Sequence, residues 1–210
     1  IRGMRYVKIP AVMSATPKDD AVCHWEVMNA NTANYCSAVG YFFGRRLHEM
    51  IDVPIGLILA NKGGTMVESW LNEDNLKRYT NEPVDSAEIA KRYPTDWLRP
   101  LLWGNGTFHP ILNYSIRGII YYQGCSNVDH NPNTYAERLS RLISQWRSDF
   151  KVPNLPFYFV EIAPYSYGNA LDTAAASIRM QQQTVAESVG NAVLIGTNDL
   201  VYPIEAEQIH

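Results

Sequence analysis

The chain has 210 residues, a net charge of −3, 46% hydrophobic residues and 19% charged ones. That balance fits one globular domain able to bury roughly 70% of its unfolded surface. The mild acidity gives no basic footprint for nucleic acid, and no apolar run approaches the ~20 residues that a membrane-spanning helix needs.

Arg5–Ile9 alternates as a short strand closed by Pro10, and the stretch from there to Asn34 is loop-like, with Trp25 as its anchor. The first residues, Ile1–Met4, have neither a basic n-region nor an apolar h-region, so they are no signal peptide. Ser37 can cap a helix running to about Ile51, with Val39, Phe42, Phe43, Leu47 and Met50 recurring at three- and four-residue steps as its apolar stripe. Pro54–Asn61 then reads as a strand buried on both faces, the usual case in a parallel sheet. It runs into Lys62–Gly63–Gly64–Thr65, where two glycines let the backbone turn tightly and bring bare N–H groups up to a ligand.

Residues 72–115 are irregular and broken by Pro83, Pro94, Pro100 and Pro110, with a short helix expected at Asp85–Tyr93. Trp97, Trp103, Phe108 and His109 are suited to a lid or wall over a pocket. Ile116–Tyr122 is a second buried strand, and it empties abruptly into Gln123–Gly124–Cys125–Ser126–Asn127. Small polar groups at the carboxyl end of a buried strand lie where open α/β sheets bind ligands. Thr134–Glu137 spells a capping box opening a helix with Tyr135, Leu139, Leu142, Ile143, Trp146 and Phe150 on its buried stripe. Pro156–Ala163 and Asn191–Ile195 are two further strands, separated by a helix over Leu171–Val189 that stops at Gly190. Strands alternating with helices predict a central parallel sheet with right-handed crossovers and helices on both faces.

Cys23, Cys36 and Cys125 suit no zinc motif, although Cys23 and Cys36 could pair in an oxidising compartment. The five histidines show no ligand spacing such as His-Glu-x-x-His, so neither a metal nor a cofactor is expected. Glu207 and His210 stand three residues apart, and a carboxylate that fixes an imidazole base is the support a hydroxyl nucleophile needs. The Gly64 N–H, with the amide of Gln123 or Asn127, could supply an oxyanion hole.

Pro54–Trp70 (PIGLILANKGGTMVESW), Ile116–Asn127 (IRGIIYYQGCSN) and Gln145–Pro164 (QWRSDFKVPNLPFYFVEIAP) resemble the sialate O-acetylesterase family, carbohydrate esterases within the SGNH hydrolases. The resemblance runs from about Arg5 to His210 and implies a flavodoxin-like three-layer α/β/α fold with a central parallel sheet. It implies a serine nucleophile attacking an acetyl ester on a sugar, sialic acid first, with Gly64 as oxyanion-hole glycine, Gln123 and Asn127 as side-chain donors, and His210 as base. Glu207 stands where the family commonly has Asp, and Cys125 where it has Glu. Gly63, Trp103 and His109 are expected to touch the substrate. A secreted or periplasmic location follows from the resemblance alone, and the oligomeric state stays open.

The family's early Gly-Gln-Ser-Asn segment is not in the chain, and the family continues past the histidine into a closing helix. Residues 1–210 therefore read as one catalytic domain incomplete at both ends, without its first strand and last helix. Inside the chain Ser126 lacks the second glycine of a nucleophile elbow, Ser14 and Ser37 follow no buried strand, and Cys125 would need a lowered pKa. Gly196–Asp199 spells a superfamily block but falls too late in the chain; Asn198 is a backup donor. The alternative is a non-catalytic carbohydrate-binding or scaffold remnant of the same fold. A nucleotide-binding domain is disfavoured because no phosphate-cradling glycine motif follows any strand.

Overall fold

The computed structural model describes residues 3–79, 81–165 and 173–200. The expected strands are present: β1 (Met4–Lys8), β3 (Ile55–Leu59), β4 (Ile119–Tyr121), β5 (Phe157–Val160) and β6 (Ala192–Ile195). All the pairings among them are parallel. The stretch expected to be loop contains one more strand, β2 (Trp25–Val27), antiparallel to β1. Trp25 is thus a strand residue, and its indole lies over Gly56 of β3.

Instead of one continuous sheet, the strands form two triplets, in the orders β2-β1-β3 and β4-β5-β6. Among the described residues β3 and β4 each have one edge without a strand partner. Their carboxyl ends are nevertheless tied together by side-chain hydrogen bonds, described below.

Helix α1 (Ala38–Ile51) begins at Ser37, whose hydroxyl accepts from the Gly40 N–H, as expected. Its buried face is a different one from the expected stripe. Gly40 and Gly44 are buried against Leu57, Leu59 and Met4, whereas Phe42 and Met50 are well exposed. The physical reason is close approach: a methyl at Gly44 would come within 2.9 Å of Met4 Cε, so small residues let this helix lie tight on the sheet. Phe43, half-exposed, reaches toward Tyr158 of the second triplet, ring centroids 6.2 Å apart.

The opposite face carries α4 (Tyr135–Asp149) and α5 (Ala174–Ser188). Every residue of the expected α4 stripe is buried. Phe108 stacks on Trp146 at 4.2 Å, and Trp146 meets Tyr121 and Phe157 of the sheet. Met4, Tyr6, Leu57 and Leu59 face α1, while Val7, Ile9 and Tyr121 join the larger core beneath α4. Helices thus cover opposite faces of the two strand triplets, whose pairings are mostly parallel, in the α/β arrangement that the strand pattern predicts.

One local expectation is corrected. Thr134 forms no capping box: its hydroxyl accepts from Arg138 Nε at 3.0 Å, so it is not turned toward the helix N-terminus. At its end α5 stops as expected, with Val189 as the C-cap before Gly190, and Asn191 beyond it is left-handed at φ 58°. The start expected for that helix, Leu171, lies outside the described residues. Short helices follow β3: α2 (Glu73–Leu76) and α3 (Ser86–Arg92), the latter capped by Asp85. Among the described residues Cys23, Cys36 and Cys125 form no disulfide with one another. Among the described residues no helix is long and apolar enough to cross a membrane.

Candidate active site

The turn after β3 and the turn after β4 converge. Gly64 adopts φ +79°, the left-handed region where a side chain is strained, and a β-carbon there would come within 2.7 Å of Trp97 Cδ1. Trp97, about half exposed, therefore forms a wall directly over the glycine. The Gly64 N–H makes no hydrogen bond to the described residues, while its carbonyl accepts from Ser126 Oγ at 2.8 Å. The residue before it, Gly63, has open space where a β-carbon would stand.

Gln123 and Asn127 hold the other side. Gln123 Nε2 donates to the Thr65 carbonyl at 3.0 Å and to Asn127 Oδ1 at 2.7 Å. Gln123 Oε1 accepts from the Tyr121 and Tyr135 hydroxyls at 3.2 and 3.1 Å. Burial pushes both phenols well above their ordinary pKa, which keeps them as neutral donors. Asn127 is fully buried, and its amide is saturated. Oδ1 also accepts from the Val67 N–H at 3.0 Å, and Nδ2 donates to Glu68 Oε2 at 2.9 Å and the His130 carbonyl at 3.1 Å.

Both side-chain amides thus spend their N–H groups on the protein in this arrangement. Gly64 is exposed, and its backbone N–H is a donor with no hydrogen bond among the described residues. Ser126 points its proton at a carbonyl, and Asn198 donates to Glu161 Oε2 at 2.9 Å, away from Gly64.

Two expected substrate contacts are placed elsewhere. Trp103 is buried, its indole N–H donating to the Asp96 carbonyl and its ring lying under Lys62 Nζ at 5.2 Å. It packs the wall instead of facing a sugar; Trp97 has the exposed indole. His109 Nδ1 is 2.8 Å from the Lys18 carbonyl and has no hydrogen bond to Gly64, Gln123 or Asn127. Glu207 and His210 lie outside the described residues.

A buried charge cluster backs the site. Arg138 donates to Glu68 Oε1 at 2.6 Å and Glu82 Oε1 at 2.7 Å, all three side chains being within 2% of full burial. Burial pushes the Glu68 carboxyl above its ordinary pKa, against the pull of Arg138 and of the Asn127 amide. Sequence reasoning passes over this cluster, although a charged Arg138 among the apolar stripe positions of α4 is a visible signal. No group of three metal-ligating side chains occurs among the described residues.

An α/β arrangement with a glycine turn and a polar cluster at its strand ends puts the candidate site at the place where such sheets bind ligands. The family model for carbohydrate esterases described as sialic acid-specific acetylesterases matches residues 19–210. A carbohydrate acetylesterase from Xanthomonas citri superposes with a TM-score of 0.80 at 25% identity, covering 93% of this chain and 42% of that one. The sialate O-acetylesterases of Mus musculus and Rattus norvegicus are each 30% identical, over 180 and 196 residues, or 70% and 78% of this chain. The chain spans 33% and 36% of the lengths of those two relatives. It belongs to the sialic acid-specific acetylesterase family of carbohydrate esterases.

Proposed function

We propose that the polypeptide carrying this chain removes O-acetyl groups from sugars, sialic acid first, by acyl transfer through a serine to water. The observation that carries the reading is the convergence of Gly64, Gln123 and Asn127 at the carboxyl ends of β3 and β4 in a chain of this family. A serine hydroxyl attacks the acetyl carbonyl carbon as His210, oriented by Glu207, takes the hydroxyl proton. The carbonyl oxygen becomes an oxyanion held by the Gly64 N–H, and Gln123 and Asn127 keep that turn in place. Collapse expels the sugar oxygen, which takes the proton back from His210, and leaves an acetyl-serine. Water then attacks with the same base, releasing acetate and the free serine.

The serine belongs to an upstream segment of the same polypeptide. Two features support this: the facing turns follow β3 and β4, whose neighbouring edges have no strand partner among the described residues, and no described serine or cysteine stands free at Gly64. The protein is secreted or periplasmic on this reading. The test is acetate release from O-acetylated sialic acid by the full-length protein, compared with residues 1–210 alone. Release by the first and not the second is expected. Burst kinetics from residues 1–210 that Ser126→Ala or Cys125→Ala abolishes would place the nucleophile inside this chain and refute the reading.

A further inference from the structure

The reaction steps above leave the Glu68–Arg138–Glu82 cluster unused. Stability alone is a poor reason for it, because replacing a buried ion pair with apolar residues is often neutral or stabilising. Here two carboxylates share one guanidinium, which lies 4.2 Å above the Tyr79 ring. The arrangement branches toward two different parts of the site. On one arm Glu68 Oε2 accepts from Asn127, which holds Gln123 and the Val67 N–H. On the other arm Glu82 Oε2 accepts from the Tyr93 hydroxyl at 2.9 Å. Asn131 Nδ2 bridges the arms, donating to Glu82 Oε1 at 3.1 Å and Glu68 Oε1 at 3.3 Å.

Tyr93 and Asn131 line a cavity of about 370 Å³ together with Arg92, Thr95, Asp129 and His130. One side of this cavity is the segment leading to Trp97, the wall over Gly64; the other continues directly from Asn127. Its volume suits one sugar ring, and its lining offers both donors and acceptors for hydroxyl groups.

We propose that Arg138 is a positioning residue that sets the two sides of the site separately. Through Glu68 it fixes the floor where the acetyl group reacts, and through Glu82 it fixes the wall of the cavity that receives the sugar. The inference rests on the acetylesterase reading.

The experiment is steady-state kinetics of the full-length protein and its Glu68→Gln, Glu82→Gln and Arg138→Lys variants. Each is assayed on an O-acetylated sugar and on p-nitrophenyl acetate, with rates normalised to the folded fraction from circular dichroism. Glu68→Gln should lower kcat about tenfold on both esters with KM changed by less than about twofold. Glu82→Gln should raise KM about fivefold or more for the sugar ester and leave p-nitrophenyl acetate within about twofold. Arg138→Lys, a point charge without the planar fork, should show both effects. A merely structural cluster would lower the folded fraction and leave kcat and KM per folded molecule unchanged, or change both esters alike in all variants; either result overturns the proposal. A wild-type protein that hydrolyses neither ester refutes the acetylesterase reading. Positioning is then decided by the side-chain amide resonances, which must shift for Asn127 and Gln123 in Glu68→Gln and for Asn131 in Glu82→Gln. Unshifted resonances overturn it.

Discussion

Replacing Asn127 with alanine tests the centre of the structure. The carboxamide is fully buried and makes four hydrogen bonds, to Val67, Gln123, Glu68 and His130. Alanine leaves the Val67 N–H, one Gln123 N–H and one Glu68 oxygen without partners. Each stranded buried group costs about 1–3 kcal/mol, more for the charged one, and relaxation recovers part of the sum. A net loss of about 3–5 kcal/mol is expected, a large share of the roughly 5–15 kcal/mol that holds a domain together. Asn127→Asp keeps the shape and both acceptor bonds but turns the donor at 2.9 Å from Glu68 Oε2 into a second carboxylate oxygen. The pair binds a proton more tightly folded than unfolded, so the variant is most stable below the ordinary carboxylate pKa and loses stability as pH rises above it. Urea denaturation followed by tryptophan fluorescence, at pH 5 and pH 7.5, reads both effects. An alanine variant within about 1 kcal/mol of wild type, or an aspartate deficit equal at the two pH values, would refute the reasoning.

Gly64→Ala forces a β-carbon into left-handed backbone and against Trp97. It should cost about 1–2 kcal/mol, change the Trp97 fluorescence and lower sugar-ester turnover; unchanged fluorescence would contradict the packing of Trp97 on the turn. Trp146→Ala removes a buried indole stacked on Phe108 and should lower stability by about 3–5 kcal/mol in the same denaturation assay. Esterase activity of the full-length protein should survive a chelator; loss with restoration by zinc would show a metal that the acyl-transfer reading leaves out.

The strands were legible because each is a bounded apolar run, and the outer helices because their apolar positions recur at the helical period. The face of α1 was misread because hydrophobicity marks a stripe of large residues, whereas Gly40 and Gly44 bury the helix by being small. Trp103 shows the limit of aromatic letters, which read alike in a pocket wall and in a core. The turn glycines and Gln123 were visible because small polar groups follow apolar strands without a gap. Glu68 and Arg138 are 70 positions apart, and only the fold brings them together. The gap between β3 and β4 lay beyond strand-by-strand reading, since a buried run does not say which neighbour it pairs with.

The central claim is that sugar O-acetyl esters are the substrate, and acetate measured from O-acetylated sialic acid with full-length protein tests it most directly. The account predicts stoichiometric acetate and free sialic acid, with His210→Ala lowering kcat by about 10³-fold or more. No acetate from the wild-type protein, or turnover unchanged by His210→Ala, would contradict it.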